Sequence, residues 1–345
     1  MSKQRLIGIM LDNRKDRQRI LTPYLQNHNL NIKLFAFTPA DVLWQKRSII
    51  GLSRQNGVWK QSTFPFPDAI HNRCYSNKSL TLQRMAKTIG RNKSFNSVTA
   101  FNKWTVYRAL KQAGLGKYLP ATYLYSTANI SGLLNKYKQL YVKPMHGSRG
   151  MSVYRLEKMS NGEVNISMHS IAPWYICRVG ESIRSKMAQI IEQKKYLVQQ
   201  GIRLKKIDNK FFDIRALVQK DISGQWKVST FVSRKAYVNY FNTSSCESVS
   251  DTEKLLSRLY PPETVNSILK TLRNVSIKTA KAMEKQLGIL GELSVDFALD
   301  TRNKLWIIEL NGRPQKSIYK LVRGFQHHKR IYSRPMEYAF YLAQR

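Results

Sequence analysis

The sequence predicts a chain built of α/β and α+β lobes, and three observations carry that expectation. At 345 residues it exceeds what one hydrophobic core usually fills, so two or three packed lobes are expected. Over the first 95 residues, short apolar runs alternate with segments of helical spacing, the pattern of an open α/β lobe. Beyond that, strand-like runs dominate and are interrupted by one long helical pattern.

Residues 6–11 are a short apolar run ending at Asp12-Asn13, a strand and its turn. Residues 14–27 are polar with spaced apolar positions and read as helix. Residues 32–37 form a second strand, stopped by Thr38-Pro39. The stretch 40–65 reads as irregular, with Gly51, Gly57 and Pro65, and holds at most a small hairpin around Val58-Trp59. Residues 67–73 make a third strand running into a loop, and 79–90 a helix stopped at Gly90. A second unit opens near Phe95. Its first helix, 102–113, ends at Gly114 and Gly116 with Pro120 beyond. Residues 121–125, 139–143 and 151–156 are strand-like, 182–194 helical and 196–200 a strand. Strands at 212–219 and 225–233 precede a helix over 262–287, entered at Pro262 and left at Gly288. Paired strands at 291–298 and 304–310 and a last helix near 334–344 complete the series. The expected division is an N-terminal α/β domain (1–95), a lobe with a glycine-rich loop (96–200) and a lobe with a metal-type donor set (201–345).

Lysines and arginines number 58 against 21 aspartates and glutamates, a net charge of +37. Such a charge costs stability by self-repulsion and attracts polyanions. The cations are spread along the chain with no block of about five or six, so the expectation is a folded domain with a broadly cationic surface. Fitting partners are an acidic peptide or protein, another polyanion such as an anionic cell-wall polymer, anionic lipid or nucleic acid; the bland alternative is solubility alone. Hydrophobic content of 42% excludes a disordered chain. No apolar run approaches the ~18–20 residues of a membrane span, and the one near the start is too short for a signal peptide. A cytoplasmic location is therefore expected. Cys74, Cys177 and Cys246 are odd in number and lack CxxC or Cys/His spacing, so they read as free thiols rather than a zinc site. The oligomeric state is not encoded legibly.

Asp296 in GELSVDFALD and Glu309 and Asn311 in LWIIELNGRP fall on two adjacent expected strands joined by a turn at 300–303. The 13-residue separation of the carboxylates suits an antiparallel pair with both side chains on one face. Two carboxylates and an amide oxygen at strand ends are donors that Mg²⁺ takes when it also holds nucleotide phosphates; Mn²⁺ is the other candidate. A salt bridge to Arg313 or Lys316 is the structural alternative. Upstream, YVKPMHGSRGMSV puts Lys143 on a strand just before Gly147-Ser148-Arg149-Gly150. Glycines let backbone N–H groups approach a phosphate, and a lysine beside them acts as a point charge. The alternative is an ordinary hairpin with an edge lysine; no Walker loop is present. In YLVQQGI, amides and Gly201 break an apolar strand, which exposes groups for an adenine edge or marks an edge-strand bulge. In FFDIRALV, Asp213 and Arg215 share a face, as a buried ion pair or with Arg215 as a phosphate clamp. Lys103 and Arg108 read alone as solvated helix charges. His146, beside the glycine loop, is a candidate phosphate contact, and His327-His328-Lys329-Arg330 a solvated cationic edge. No nucleophile elbow or Cys/His nucleophile signature occurs.

The order of these motifs resembles the ATP-grasp superfamily over about residues 100–320. More narrowly, FPDAIHNR, FNKWTVYRAL, YVKPMHGSRGMSV, YLVQQGIRL, FFDIRALVQK and IIELNGRP are similar to the YheC/YheD-type family, described as endospore coat-associated. The resemblance implies an ATP-grasp fold, two α+β lobes clasping ATP, preceded by an open α/β pre-ATP-grasp domain. It implies ATP and Mg²⁺ as cofactors. Lys103 and Lys143 would contact phosphates and adenine N7, and Gly147, Ser148 and Gly150 would form the loop over the phosphates. Gln199, Gln200, Gly201 and Ile202 would be the adenine-reading hinge. Arg215, with Lys143, would be catalytic at the γ-phosphate or acyl-phosphate. Asp296, Glu309 and Asn311 would hold metal, with Glu309 bridging two ions. The chain departs from the family at 242–246, which lack the glycine of its N-x-x-x-G stretch, and from many ATP-grasp enzymes at the hinge, where Gln199-Gln200 replace acidic residues. Ser294 stands where D-alanine ligases of the superfamily have arginine, which argues against a dipeptide ligase of that kind.

The resulting expectation is a Mg-ATP-dependent carboxylate–amine ligase working through an acyl-phosphate on an acidic peptide or protein, in a spore setting. The rival is a non-catalytic spore-associated or polyanion-binding protein on the same scaffold. A kinase with a hydroxyl acceptor is the third reading.

Overall fold

The computed structural model describes residues 3–75, 80–147, 150–191 and 195–345. Three sheets organise it. The first contains β1 (Arg5–Met10), β2 (Ile32–Phe37), β3 (Val42–Leu43), β4 (Ser48–Gln55), β5 (Val58–Pro65), β6 (Ala69–Asn72) and β7 (Ser94–Phe95), in the order β3-β4-β2-β1-β6-β7 with β5 on β4. β1, β2, β6 and β7 run parallel. Helices α1 (Arg17–Gln26) and α2 (Leu80–Ile89) make the crossovers. The small hairpin expected around Val58-Trp59 is present and is longer than expected, because β4–β5 takes up most of the stretch read as irregular. Asn56 (φ 46°) and Gly57 (φ 83°) supply the two left-handed residues of a tight turn whose twist matches the strands. Asn-Gly was the available signal, and the polar outer row of β5 obscured it.

The second sheet is antiparallel throughout: β8 (Thr122–Leu124), β9 (Gln139–Pro144), β10 (Tyr154–Lys158), β11 (Val164–Met168), β12 (Tyr175–Cys177) and β13 (Tyr196–Gln200), ordered β12-β11-β10-β9-β13-β8. It follows α3 (Lys103–Leu110), and α4 (Ile130–Tyr137) and α5 (Ile183–Ile190) cover it around a core with Leu134, Val142, Ile166 and Met187. β11, β12 and α4 are too short to show a period and were not expected. The end of the expected helix 182–194 runs into residues 192–194, which lie outside the described residues.

The third sheet holds β14 (Lys206–Ile207), β15 (Lys210–Lys220), β16 (Trp226–Ala236), β17 (Cys246–Asp251), β18 (Glu292–Leu299) and β19 (Leu305–Asn311), antiparallel in the order β17-β16-β15-β18-β19 with β14 on β15. After the short α6 (Thr252–Leu256), α7 (Pro262–Leu287) buries Leu272, Val275, Ala280 and Met283 against one face of the sheet. Its bounds are those read from the sequence, because Pro262 suits a first turn and Gly288 (φ 86°) ends the helix. The final helix, α8 (His328–Gln344), starts well before the expected 334. It tolerates Pro335 in its interior, and His328-Lys329-Arg330 form its first turn with Lys329 and Arg330 exposed.

Glu292 at the start of β18 joins the first and third sheets. It is 1% exposed and accepts from Arg73 Nη1 (2.7 Å), Lys316 Nζ (2.8 Å), Gln219 Nε2 (2.8 Å) and His71 Nε2 (3.2 Å). A carboxylate taken out of water needs this degree of pairing. Burial alone would raise Glu292, but Lys316, His71 and Arg73 outweigh it and hold it well below the usual carboxylate range. Beside it, Asn96 Oδ1 accepts from the N–H groups of Gly291 (2.7 Å) and Glu292 (3.2 Å), and its Nδ2 donates to the carbonyls of Glu292 (2.7 Å) and Gly312 (2.8 Å). Gly312 must be glycine, because a Cβ there would lie 2.8 Å from the Thr99 carbonyl oxygen.

His71 gives this junction a pH dependence. Burial pushes its imidazole down from 6.5 to about 4, with Glu292 opposing. The unfolded chain therefore takes up a proton near pH 6.5 while the folded chain does not. Stability is full above that value and falls as the pH drops toward 4, by about 3 kcal/mol. Urea unfolding across this range should show that loss in the native chain and a flatter profile in His71→Asn.

Candidate nucleotide and metal site

A narrow cleft lies between the second and third sheets. Its walls include Phe101, Val106, Leu197 and Ile307, and its polar end carries Lys103, Lys143, Gln199 and Glu309. The cavity volume is 40 Å³, room for a few waters. Four elements bring the polar groups together. Asn102 caps α3, its Oδ1 accepting from the N–H groups of Trp104 (3.0 Å) and Thr105 (3.1 Å), and the Lys103 N–H donates to the Met145 carbonyl just past β9. This fixes the Lys103 side chain, whose Nζ sits 3.1 Å from Glu309 Oε1 and 3.0 Å from the Gly147 carbonyl oxygen. Lys143 on β9 donates to Gln199 Oε1 on β13 (2.7 Å), and Gln199 Nε2 donates to Thr122 Oγ1 (2.9 Å). Burial first, and the Lys103 ammonium second, push Lys143 down to about 8 despite Glu309.

A row of charge crosses the third sheet beside the cleft. Asp296 and Glu309 are direct partners across β18 and β19, and Arg215 is the partner of Asp296 across β15. A bulge between Asp296 and Phe297 leaves Ile308 unpaired and turns Glu309 toward the cavity. Arg215 grips Asp296 with two bonds of 2.7 Å. Arg234 donates through Nε to Asp213 (2.8 Å) and through Nη2 to both Asp213 and Asp296. Thr243 Oγ1 completes the shell of Asp213 at 2.6 Å. Burial raises Asp296, but the two guanidiniums outweigh that and bring it down to about 2. Two residues along the face, Asn311 stands opposite Ser294; Asn311 Nδ2 and Ser294 Oγ are buried with no partner among the described residues.

The sequence-derived candidates are thus distributed unevenly. Lys103, Lys143, Gln199 and Glu309 converge on the cavity, while Asp296 and Asn311 share the adjoining sheet face. Arg215 is spent on Asp296, so the expected Asp213–Arg215 pair is replaced by crossed pairs, Arg215 with Asp296 and Arg234 with Asp213. The alternative salt-bridge partners are also corrected: Arg313 pairs with Asp12 (2.6 Å) and Lys316 with Glu292. β13 is an interior strand between β9 and β8, not an edge. The Gly201 N–H is taken by the Gln139 carbonyl (2.8 Å), and a Cβ at Gly201 would meet that same oxygen at 2.8 Å. Gln200 Oε1 accepts from the Ala121 N–H (3.2 Å), and Ile202 is half-buried at the strand exit. Gly147 (φ 148°) and Gly150 (φ 67°) flank the loop; Ser148 lies outside the described residues. His146 Nε2 sits 3.0 Å from Asn102 Nδ2 at the helix cap. Arg234 and Thr122 were missed. The expected strand 225–233 stopped one residue short of Arg234, and a cation inside an apolar strand was the usable signal.

Whether these residues suit a metal and a nucleotide can be judged from their pairing. Glu309 is 30% exposed and faces the cavity, so it is open to a ligand, whereas the unspent group of Asn311 is its buried Nδ2, a hydrogen-bond donor rather than a metal donor. Asp296 becomes a metal donor only when a guanidinium turns aside. No cluster of three or more His, Cys, Asp or Glu side chains occurs among the described residues, so a metal here rests on two carboxylates, an amide and the phosphates it accompanies. Lys103, Lys143, Arg215 and Arg234 outnumber Asp213, Asp296 and Glu309, which suits a polyphosphate. Outside the cleft lining the two sheets are strapped together: the Ile171 N–H donates to Asn239 O (2.7 Å) and the Phe241 N–H to His169 O (3.2 Å).

Two layered lobes with a cationic cleft between them define the ATP-grasp architecture, and solved structures share it. VanG D-Ala:D-Ser ligase from Enterococcus faecalis aligns with a TM-score of 0.55 at 12% identity, over 98% of this chain and 100% of that one. An ADP complex of N5-carboxyaminoimidazole ribonucleotide synthetase aligns with a TM-score of 0.54 at 13% identity, over 92% and 72%. The chain belongs to the YheC/D-like ATP-grasp family, whose model matches residues 91–342. It is similar to the endospore coat-associated protein YheD of Bacillus subtilis (strain 168), 27% identical over 325 residues, which cover 90% of this chain and 71% of that protein. It is also similar to YheC of the same organism, 22% identical over 335 residues, covering 90% and 88%.

The two kinds of ion pair should separate in stability measurements. Arg234→Ala strands Asp213 in a buried site and should cost about 3 kcal/mol. Lys103→Ala releases a half-exposed carboxylate and should cost below about 1 kcal/mol. Urea unfolding of both variants checks the contrast.

Proposed function

We propose that the protein is a Mg-ATP-dependent carboxylate–amine ligase. The observation that carries this reading is the convergence of Lys103, Lys143 and Glu309 on one cleft with apolar walls, in a chain of the ATP-grasp family. The apolar walls take the adenine ring, and Gln199 and the backbone leaving β13 read its edge. Lys103 and Lys143 hold the phosphates; Lys143, at about 8, remains largely charged at neutral pH. Glu309, Asn311 and, once released by its arginines, Asp296 would hold the divalent cation, which offsets charge on the transferring phosphoryl group. An acceptor carboxylate oxygen attacks the γ-phosphorus, giving ADP and an acyl-phosphate. An amine nitrogen then attacks the acyl carbon, loses its proton and expels phosphate. Arg215 and Arg234, on the sheet face beside the cleft, would stabilise the transferring phosphoryl group on leaving Asp296.

The acceptor proposed is an acidic peptide or protein, on the ground of the +37 charge. The setting proposed is the cytoplasm of a spore-forming cell or the spore coat, on the ground of the descriptions of YheD and YheC. No described helix is long and apolar enough to cross a membrane. A second reading, a non-catalytic polyanion binder on this scaffold, is favoured by the small volume of the cleft.

ADP release should depend on a carboxylate and an amine together, and Glu309→Gln should lower it by about 10²-fold. Phosphorylated product without amide would identify a kinase instead. Unchanged turnover in Glu309→Gln would remove the metal assignment. Salt-sensitive polyanion binding with no nucleotide turnover would favour the second reading.

A further inference from the structure

Between Asp68 and Glu157 the chain contains no aspartate or glutamate, yet it holds 15 lysines and arginines. Among the described residues, the cations of this stretch that pair with a carboxylate are Arg73 with Glu292, Lys103 with Glu309, and Arg155 with Glu157. Several of the others gather on one exposed strip outside the nucleotide cleft. Arg108 and Lys111 project from the outer side of α3 and the turn after it, with Lys117 in the following 3₁₀ turn. Lys136 at the end of α4 is exposed as well; its neighbour Tyr137 meets Tyr123 of β8 hydroxyl to hydroxyl at 3.4 Å, and Tyr107 and Leu110 of α3 line one cavity with Thr122 of β8. The strip therefore runs from α3 across β8 to α4.

Its aromatic residues are already engaged. Lys117 Nζ lies 5.2 Å above the Tyr118 ring and Lys136 Nζ 5.3 Å above the Tyr137 ring. Trp104 and Tyr107 stack on each other at 5.5 Å and 20°. Tyr123 and Tyr137 present their hydroxyls 3.4 Å apart. Bases of a single strand need free ring faces to stack upon, whereas carboxylates need ammonium, guanidinium and phenol donors. The available groups are of the second kind.

We propose that the α3–β8–α4 strip docks an acidic polypeptide, seating consecutive carboxylates on Arg108, Lys111, Lys117 and Lys136. The surface shares with the proposed ligase reading only the charge of the partner. It is measured without nucleotide, so failure of either leaves the other interpretable.

The test uses the full chain and a fluorescent oligo-glutamate peptide, with anisotropy read over a salt series. Combined Arg108→Glu, Lys111→Glu and Lys136→Glu substitutions should weaken binding by about tenfold or more and flatten the salt dependence. A control set on α7, Lys270→Glu, Lys278→Glu and Lys281→Glu, should bind as the native chain does. The neutral set Arg108→Gln, Lys111→Gln and Lys136→Gln should fall between, and it decides the matter if the reversal set unfolds. The proposal is overturned if both reversal sets lose affinity equally, if neither does, or if an oligo-deoxythymidine of equal charge binds more tightly and loses its affinity in the same variants.

Discussion

β18 carries two buried carboxylates on one face, Glu292 and Asp296, and much of the molecule is arranged to keep them charged. Neither can be taken from water alone. Glu292 draws Arg73 and His71 from the first sheet and Lys316 from beyond β19, and in doing so docks that sheet onto the third. Asp296 draws Arg215 and Arg234 from β15 and β16 and sets the charge pattern beside the cleft. One strand thus fixes both the assembly of the sheets and the electrostatics of the site, through the same physical requirement.

What was legible in the sequence follows the same logic. α7 was readable end to end because its apolar period is long and its ends carry Pro262 and Gly288. The β18–β19 pair was readable because Asp296 and Glu309 are spaced for opposite positions on two strands. Pairing was not readable. The crossed ion pairs Arg215–Asp296 and Arg234–Asp213 depend on strand order, which places β15 between β16 and β18 and which no local pattern encodes. The side-chain bond between Gln199 and Lys143 on the neighbouring strand was likewise not readable, since it depends on which strands lie side by side. The short elements α4, β11 and β12 were missed for want of a period, and the β4–β5 hairpin was expected only as a small one around Val58-Trp59 although Asn56-Gly57 marks its turn.

Charge in the cleft is balanced by proximity rather than by count. In the cleft itself Lys103 and Lys143 stand with Glu309, and the Lys103–Glu309 contact ties the residue proposed for a phosphate to the residue proposed for a metal. A bare divalent cation meets a slightly positive surface there and gains little. A polyphosphate meets lysines that can leave their present partners at small cost, since Lys103 and Glu309 are both near solvent. Anion and metal are therefore expected to arrive as one complex, with the anion reversing the sign of the local field.

The strap outside the cleft lining bears on motion. Two peptide hydrogens, on Ile171 and Phe241, bridge loops that belong to different sheets, and neither loop lines the narrow cleft between those sheets. Widening the cleft by separating these loops exposes both hydrogens to solvent; widening it by rotation about the strap leaves them protected. Deuterium uptake at these two positions thus distinguishes a jaw that opens at this strap from one that pivots upon it.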